Sequence, residues 1–598
     1  MNESLSQKPV TETDFLVIEP RLAVVGMLRW ARVHRAELLT GALLAVMGLQ
    51  MLAVISRKSI IVDEIVMIPS AYYHLAAGDF QLVNEHPPFS KILAALPLLF
   101  VQPNEVRPDQ VTASSLSSEA KWAYQESFWA NNTNNFESIS FWSRVPMIAL
   151  AVALGLLIFR FARKLFGARA AVLAVALYTL EPTVLAHGRV VQTDIPAAFG
   201  YLLFFMALYH FAEKNTWRRA VLLGLAAGLA ILAKYSMLLV GPVLALFFLA
   251  LLVRGWRMPE VRSRLLAYMA LVMLAILTAI NAAYFFKHRQ MGDADVQWIQ
   301  STFHTYGDTL TTTVRLLAHI LPVDFVLGVL FQFWHNGQGH SASLLGMYSE
   351  RGWWYYFPVA FVLKSTIPFL LLSVASLGWG VYQSVRNRDR RFIWLLVPFA
   401  VYAVFVLFSH INIGVRYLLP AYPWLFILGG ALLDRLIKIR RAYRAGALIA
   451  LSLLCWMAIE TYRAFPDEMV YMNQLASRAP HWWYLSDSNV EWGDDARALA
   501  AFLHQRGEKR VGDAFLGGFF SLHYYGIERV DWLVPESRID PPHYLAIGAS
   551  YFNGSTIPAG PPGSGRETPQ QRANFFEEYK HRQPEAVFGN SIYVFRVR

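Results

Sequence analysis

Eleven apolar runs, each long enough to cross a hydrocarbon core about 30 Å thick, recur along the chain as far as residue 461. They span roughly 37–57, 143–162, 168–187, 194–212, 219–234, 236–254, 265–286, 357–383, 392–409, 414–434 and 443–461. In lipid each backbone polar group must be satisfied inside the protein, so runs of this length are helices. The fold class that follows is mainly α: a polytopic membrane helix bundle. Composition agrees, since 55% of the 598 residues are hydrophobic and 16% are charged, against about 25% charged in an ordinary soluble domain. One boundary rests on a single residue. Lys234 divides 219–254, which otherwise reads as one long helix.

Charge bias sets the expected orientation. With the N-terminus in the cytoplasm, the inner segments 1–36, 160–169, 213–219, 254–264, 384–391 and 435–444 hold 25 Lys and Arg. The short outer connections 187–193, 234–235 and 410–416 hold 3, namely Arg189, Lys234 and Arg416. Residues 1–36 are polar and show no signal-peptide pattern, so the first run reads as an uncleaved span. The net charge of +11 does not point to nucleic acid, because the basic residues lie in short loops between helices. Cys455, the only cysteine, lies in an apolar run and excludes an internal disulfide framework or a cysteine-based metal site.

Three larger pieces then face outward: 58–142, 287–356 and 462–598. The last reads as a small extracytoplasmic α/β unit. "DDARALAAFLHQRG" has helical spacing and ends on Gly, and "KRVGDAFLGG", "HYLAIGAS" and "NSIYVFRV" read as short strands. "PAGPPGSGRETPQQR" reads as a mobile loop.

Charged residues at the edges of apolar runs carry the chemistry. Asp63 and Glu64 follow the first run, and Asp194 opens the fourth in "HGRVVQTDIPAAF". Two acidic groups at one rim suit a base that removes a proton from an acceptor hydroxyl. The alternative is that they cap helix N-termini, as Asp194 before Ile-Pro would. Lys364 falls inside "FPVAFVLKSTIPFLLL", where an unpaired Lys at a helix centre costs about 2.5–3.5 kcal/mol. With Lys234 and Arg416 it forms a set of cations expected at one leaflet. Such a set suits a lipid-anchored phosphate, Arg offering a fork of donors and Lys a point charge; the alternative for each is snorkelling. His86 and His187 have no second ligand at zinc spacing.

These motifs resemble the protein O-mannosyltransferase family (glycosyltransferase family 39, GT-C fold) and its bacterial relatives. The family's first outer loop carries Asp-Glu and then His-Pro-Pro-Leu-Gly-Lys; here these are Asp63-Glu64 and "HPPFSK", His86 to Lys91. Its second block keeps Glu181, Arg189 and Asp194 at the family spacing in "LEPTVLAHGRVVQTD". "GLAAGLAILAKYS", "GWWYYFPVAFVLKSTIP" and "DSNVEWGDDARALAAFL" resemble the bacterial members. Asn84 replaces the family's Asp, with Glu85 beside it, and Phe89-Ser90 replace Leu-Gly.

The resemblance implies an enzyme that moves a sugar, mannose or another hexose, from a polyprenyl-phosphate carrier to a hydroxyl of a protein or glycan. It implies Asp63 as base, and Glu64 and Asp194 as its acidic partners. Glu85, His86 and Glu181 would support the rim, and Arg189 would tie the two acidic blocks together. Lys234, Lys364 and Arg416 would bind the donor phosphate. No cofactor is required; a divalent metal would fall to Asp63 and Asp194, though no spacing demands one. The expected location is the bacterial inner membrane. Rival readings are an amino-sugar or pentose transferase acting on lipid or envelope glycan, and a lipid-carrier transporter or flippase. The orientation has a direct check. A reporter active only in the cytoplasm, fused after Arg598, should be silent, because eleven spans and the charge bias put that end outside.

Overall fold

The computed structural model describes residues 33–106, 118–439 and 443–597. The expected cytoplasmic segment 1–36 therefore lies, except for its last four residues, outside the described part. Nine helices among the described residues are long and apolar enough to cross a membrane, from Arg35–Ile55 to Tyr443–Ala464. The two remaining sequence runs are also helical but shorter. Trp217–Ala233 has 17 residues, and the run at 168–187 is two pieces, Ala168–Thr179 and Pro182–His187.

Breaks fall where the sequence places residues that resist a continuous helix. Pro182 opens the second piece after Glu181, whose extended backbone makes it an N-cap. Lys234, also extended, ends Trp217–Ala233 and precedes the short turn Tyr235–Leu239. The expected single span 357–383 is two helices, Tyr356–Lys364 and Ile367–Val385, parted at Ser365-Thr366 just before Pro368. Lys364 is thus a helix end and not a helix centre. This corrects the sequence expectation, and the cause is local: Pro368 lacks the N–H that would continue the ladder.

Helix packing relies on small residues, which let backbones approach where no hydrophobic force separates helix from lipid. Trp217–Ala233 lies between Asp194–Glu213 and Pro259–Ala283. A Cβ at Gly200 would come within 2.7 Å of the Ala230 Cα, and one at Gly224 within 2.5 Å of the Val272 carbonyl oxygen. Over one end of the bundle pack Val62–Ala77, Pro88–Ala95 and Ser118–Asn131. Their apolar core includes Ile65, Phe128 and Trp129, and the Trp129 indole donates to the Ile65 carbonyl at 2.8 Å.

A hairpin, β1 (Ala342–Leu344) and β2 (Met347–Ser349), lies in the segment 287–356. After Ala464 the chain returns across the bundle end and forms the α/β unit. Its longest helix among the described residues is Ala496–Gln505. Its strands are β3 (Arg510–Ala514), β4 (Glu528–Asp531), β5 (Tyr544–Gly548), β6 (Ala586–Phe588) and β7 (Ile592–Arg596). The sheet order is β4-β3-β5-β7-β6, with β3 parallel to both neighbours and β7 antiparallel to both of its own. The stretch read as one loop contains a helix, Pro569–Asn574, started by a capping box between Thr568 and Gln571.

The packing predicts one outcome. Gly200→Val should drive a branched side chain into the Ala230 backbone and destabilise the bundle by about 1–3 kcal/mol, read as a lower unfolding temperature of the detergent-solubilised protein.

Candidate active site

Two helix starts and one tight turn bring four of the sequence-predicted residues together. Asp63 is the second residue of Val62–Ala77 and Asp194 the first of Asp194–Glu213. Arg416 sits in the turn Val415–Ala421, whose 3₁₀ geometry and internal Pro420 depart from a regular helix. One Arg416 amino group lies 3.5 Å from Asp63 Oδ2 and 3.5 Å from Asp194 Oδ2. Lys234 donates to Asp194 Oδ1 at 2.6 Å and lies 4.1 Å over the Tyr417 ring. The Arg416 guanidinium is 4.2 Å from the centre of the Trp492 ring, and its buried Nε has no partner. The result is a ring of alternating charge with donor capacity left over.

The two carboxylates are not equivalent. Asp194 is 1% exposed and closed in by two cations, while Asp63 keeps 31% of its side chain open. Gln192 donates to Asp63 Oδ2 through its amide nitrogen. Burial pushes the Asp63 carboxyl above its ordinary range; Arg416 opposes this, Asp487 and Asp194 add to it, and the Gln192 hydrogen bond opposes it. An accessible carboxylate with a raised pKa is the better proton acceptor.

Asp194 does not cap its helix through its side chain, the alternative weighed above, because both oxygens face Lys234 and Arg416. Asp63 and Asp194 are also the carboxylates to which a divalent metal would fall. Both candidate ligands are turned to Arg416, and among the described residues no group of three or more His, Cys, Asp or Glu gathers at metal distance.

Other predicted residues sit elsewhere. Glu64 is fully buried and locked: its Oε1 and Oε2 lie 2.9 and 3.1 Å from Arg144 Nε, and it also accepts the N–H groups of Ile61 and Val191 at 2.9 and 2.8 Å. It braces the start of its helix. Glu85 pairs with Lys121 at 2.8 Å; burial raises its pKa, but Lys121, His86 and the hydrogen bonds to its charged form together hold the carboxyl low. Burial pushes the neighbouring His86 imidazole down to about 3, so the ring is neutral. Glu181 accepts from Thr366 Oγ1 at 3.1 Å, away from the Asp63 pair.

Arg189 does not join the two acidic blocks. It pairs with Glu468 and lies 3.7 Å from Asp494, both beyond the last span. Lys364 is likewise separate, donating to the carbonyls of Met469 and Asn489 at 2.8 and 2.6 Å. Both cations fasten the returning chain to the bundle.

The sequence reading missed Arg144, Gln192, Tyr417 and Trp492. Arg144 left a signal, being a buried cation in the apolar stretch "FWSRVPMIAL". Trp492 left none beyond the quoted "DSNVEWGDD".

Residues 134–282, which include Arg144, Glu181, Arg189, Asp194 and Lys234, match the family described as dolichyl-phosphate-mannose-protein mannosyltransferase. Over this stretch, about a quarter of the chain, the sequence is similar to that family. Sequence comparison with curated proteins finds no match. Among solved structures, ArnT from Cupriavidus metallidurans bound to undecaprenyl phosphate is similar at 16% identity and a TM-score of 0.44, over 81% of this chain and 74% of that one. The Pmt1-Pmt2 complex of S. cerevisiae bound to the sugar donor shares 10% identity at a TM-score of 0.47, over 72% of this chain and 89% of that one. AglB from Archaeoglobus fulgidus, in complex with an inhibitory peptide and a dolichol-phosphate, shares 14% identity at 0.41, over 72% and 56%. At these scores the likenesses carry nothing about the site of this protein.

The site geometry separates the sealed carboxylate from the partly open one. Arg144→Met should leave the Glu64 charge buried without its cation and destabilise the protein by about 3–5 kcal/mol, seen as a lower unfolding temperature. Asp63→Asn, which leaves Arg416 its second carboxylate Asp194, should lower that temperature less.

Proposed function

We propose that this site transfers a sugar, mannose or another hexose, from a polyprenyl-phosphate carrier to a hydroxyl of a protein or glycan acceptor, with inversion at the anomeric carbon. One observation carries the reading. Arg416 is buried between Asp63 and Asp194, with Lys234 on the far side of Asp194.

The chemistry divides along that line. Asp63 takes the proton of the acceptor hydroxyl, whose oxygen attacks the anomeric carbon from the face opposite the phosphate. The bond from that carbon to the phosphate oxygen breaks, and the carrier leaves as a prenyl phosphate. Arg416 and Lys234 stabilise the charge that develops on the leaving oxygen, so that a separate general acid is not needed. The unpartnered Arg416 Nε offers a donor that no carboxylate already uses. Lys364, committed to two carbonyls, is left out of the phosphate site. Asp194 holds the cations in place, and Gln192 orients Asp63. The charge bias of the loops supports an extracytoplasmic site in a bacterial inner membrane, with donor and acceptor meeting at that face.

The reading has a kinetic signature. Asp63→Asn preserves shape and removes the basic oxygen, so turnover of a polyprenyl-phosphate hexose should fall about 10²–10⁴-fold while donor binding persists. The wild-type rate should decline as pH falls, because protonated Asp63 cannot accept a proton. Its midpoint should lie above the usual carboxylate value of about 3.9, since burial raises Asp63. Wild-type turnover by Asp63→Asn would remove Asp63 as the base.

A further inference from the structure

The sequence assigns no role to residues 462–598, and the α/β unit they form supplies one. Strand β3 lies between β4 and β5 and parallel to both. The chain leaves β3 for β4 on one side and returns as β5 on the other. Such a reversal opens a crevice beyond the C-terminal ends of the two strands, where open α/β sheets bind their ligands. Here the chain fills that crevice with its own carboxylate. Glu491 is fully buried and accepts the backbone N–H of Leu516 at 2.5 Å and of Ser550 at 2.8 Å. The first donor follows β3 and the second follows β5. The fit is close: a Cβ on Gly548 would lie 2.1 Å from Glu491 Oε1. Gly493, at φ +96°, brings the same stretch so near the Leu516 carbonyl that a Cβ would lie 2.6 Å from its oxygen.

The other side of this stretch meets the transfer site. Trp492 covers the Arg416 guanidinium at 4.2 Å and meets the His187 ring at 5.7 Å. Its carbonyl accepts the N–H of Val62 at 3.0 Å, one residue before Asp63. Asn489 accepts the N–H of Val415 at 2.9 Å, one residue before Arg416, and Ser488 donates to the Ile413 carbonyl at 2.6 Å. Within a few residues, the segment 488–492 touches the α/β crevice, the helix start that carries Asp63, and Arg416.

We propose that the C-terminal α/β unit is a positioning clamp for the transfer site, and that Glu491 is the positioning residue through which it holds Trp492 against Arg416 and the start of the Asp63 helix. The role of Arg416 in this statement rests on the donor reading given above.

Two variants attack the contact from opposite sides in the full-length protein. Glu491→Gln turns an amide toward backbone donors, and Gly548→Ala fills the space that the carboxylate occupies. Neither touches the membrane helices. The clamp is read first by amide hydrogen exchange at residues 59–63 and 413–418. Both variants should speed exchange there, and unchanged exchange in both would overturn the clamp. The consequence is read with undecaprenyl phosphate as the probe. Each variant, and Trp492→Ala, should weaken its binding on the order of tenfold, and the double variant Glu491→Gln/Trp492→Ala should bind no more weakly than either single one, the mark of residues acting through one another. Additive losses would also overturn the clamp. If the wild type fails to bind the probe, or Arg416→Ala binds it normally, the donor reading falls while the exchange result still decides the clamp. Should Glu491→Gln not accumulate as folded protein, Gly548→Ala carries the same comparisons.

Discussion

A guanidinium shared by two carboxylates at the mouth of the helix bundle sets the terms for everything around it. Arg416 remains charged at any working pH, and it is 6% exposed. Burying such a charge is tolerable only with good partners, because removing one leaves an uncompensated ion. Asp63 and Asp194 are those partners, and each lies at the start of a different helix. The positions of the two helix starts and of the turn Val415–Ala421 are therefore fixed against one another. The same arrangement creates the chemical contrast. Asp194 is neutralised on two sides, and Asp63 is left partly open with its proton affinity raised by burial.

Around this centre, buried charges serve as fasteners. Lys58 pairs with Asp467 and Asp495, Arg189 with Glu468, and Lys364 with two carbonyls of the returning chain. All three draw the segment after Ala464 onto the bundle end. That segment then supplies Trp492, which covers Arg416, and the carbonyl that receives the Val62 N–H. The α/β unit is thus continuous with the site through a few hydrogen bonds and one aromatic face. Glu64 belongs with the fasteners as well. Its neighbour Asp63 shares its sequence motif, but the two carboxylates point into different surroundings, one sealed by Arg144 and one open.

Legibility in the sequence followed this division. Asp63, Asp194, Lys234 and Arg416 could be picked out because a charge beside a long apolar run is costly unless it has a use. Lys364 met the same criterion and lies against two backbone carbonyls, and Arg189, singled out by the resemblance, lies against Glu468 and Asp494. Arg144 could have been found by the same test. Trp492 could not, since an aromatic residue in a polar tail has many ordinary roles.

What the sequence by itself determined is where the long apolar helices lie. Lipid forces each apolar run to satisfy its own backbone, and Pro182, Pro368 and the extended Lys234 mark breaks through local backbone chemistry. Strands β3, β5 and β7 were legible for a similar local reason, their short apolar runs being bounded by Gly and polar turns, whereas β4 and β6 were not read. Only the tertiary structure decided which charges meet. Gln192 reaches Asp63 across 129 positions of sequence and Arg416 reaches it across 353. No local rule spans such a distance. The helices must first pack through contacts such as Gly200 on Ala230, and only then does a charge acquire the partner that sets its surroundings.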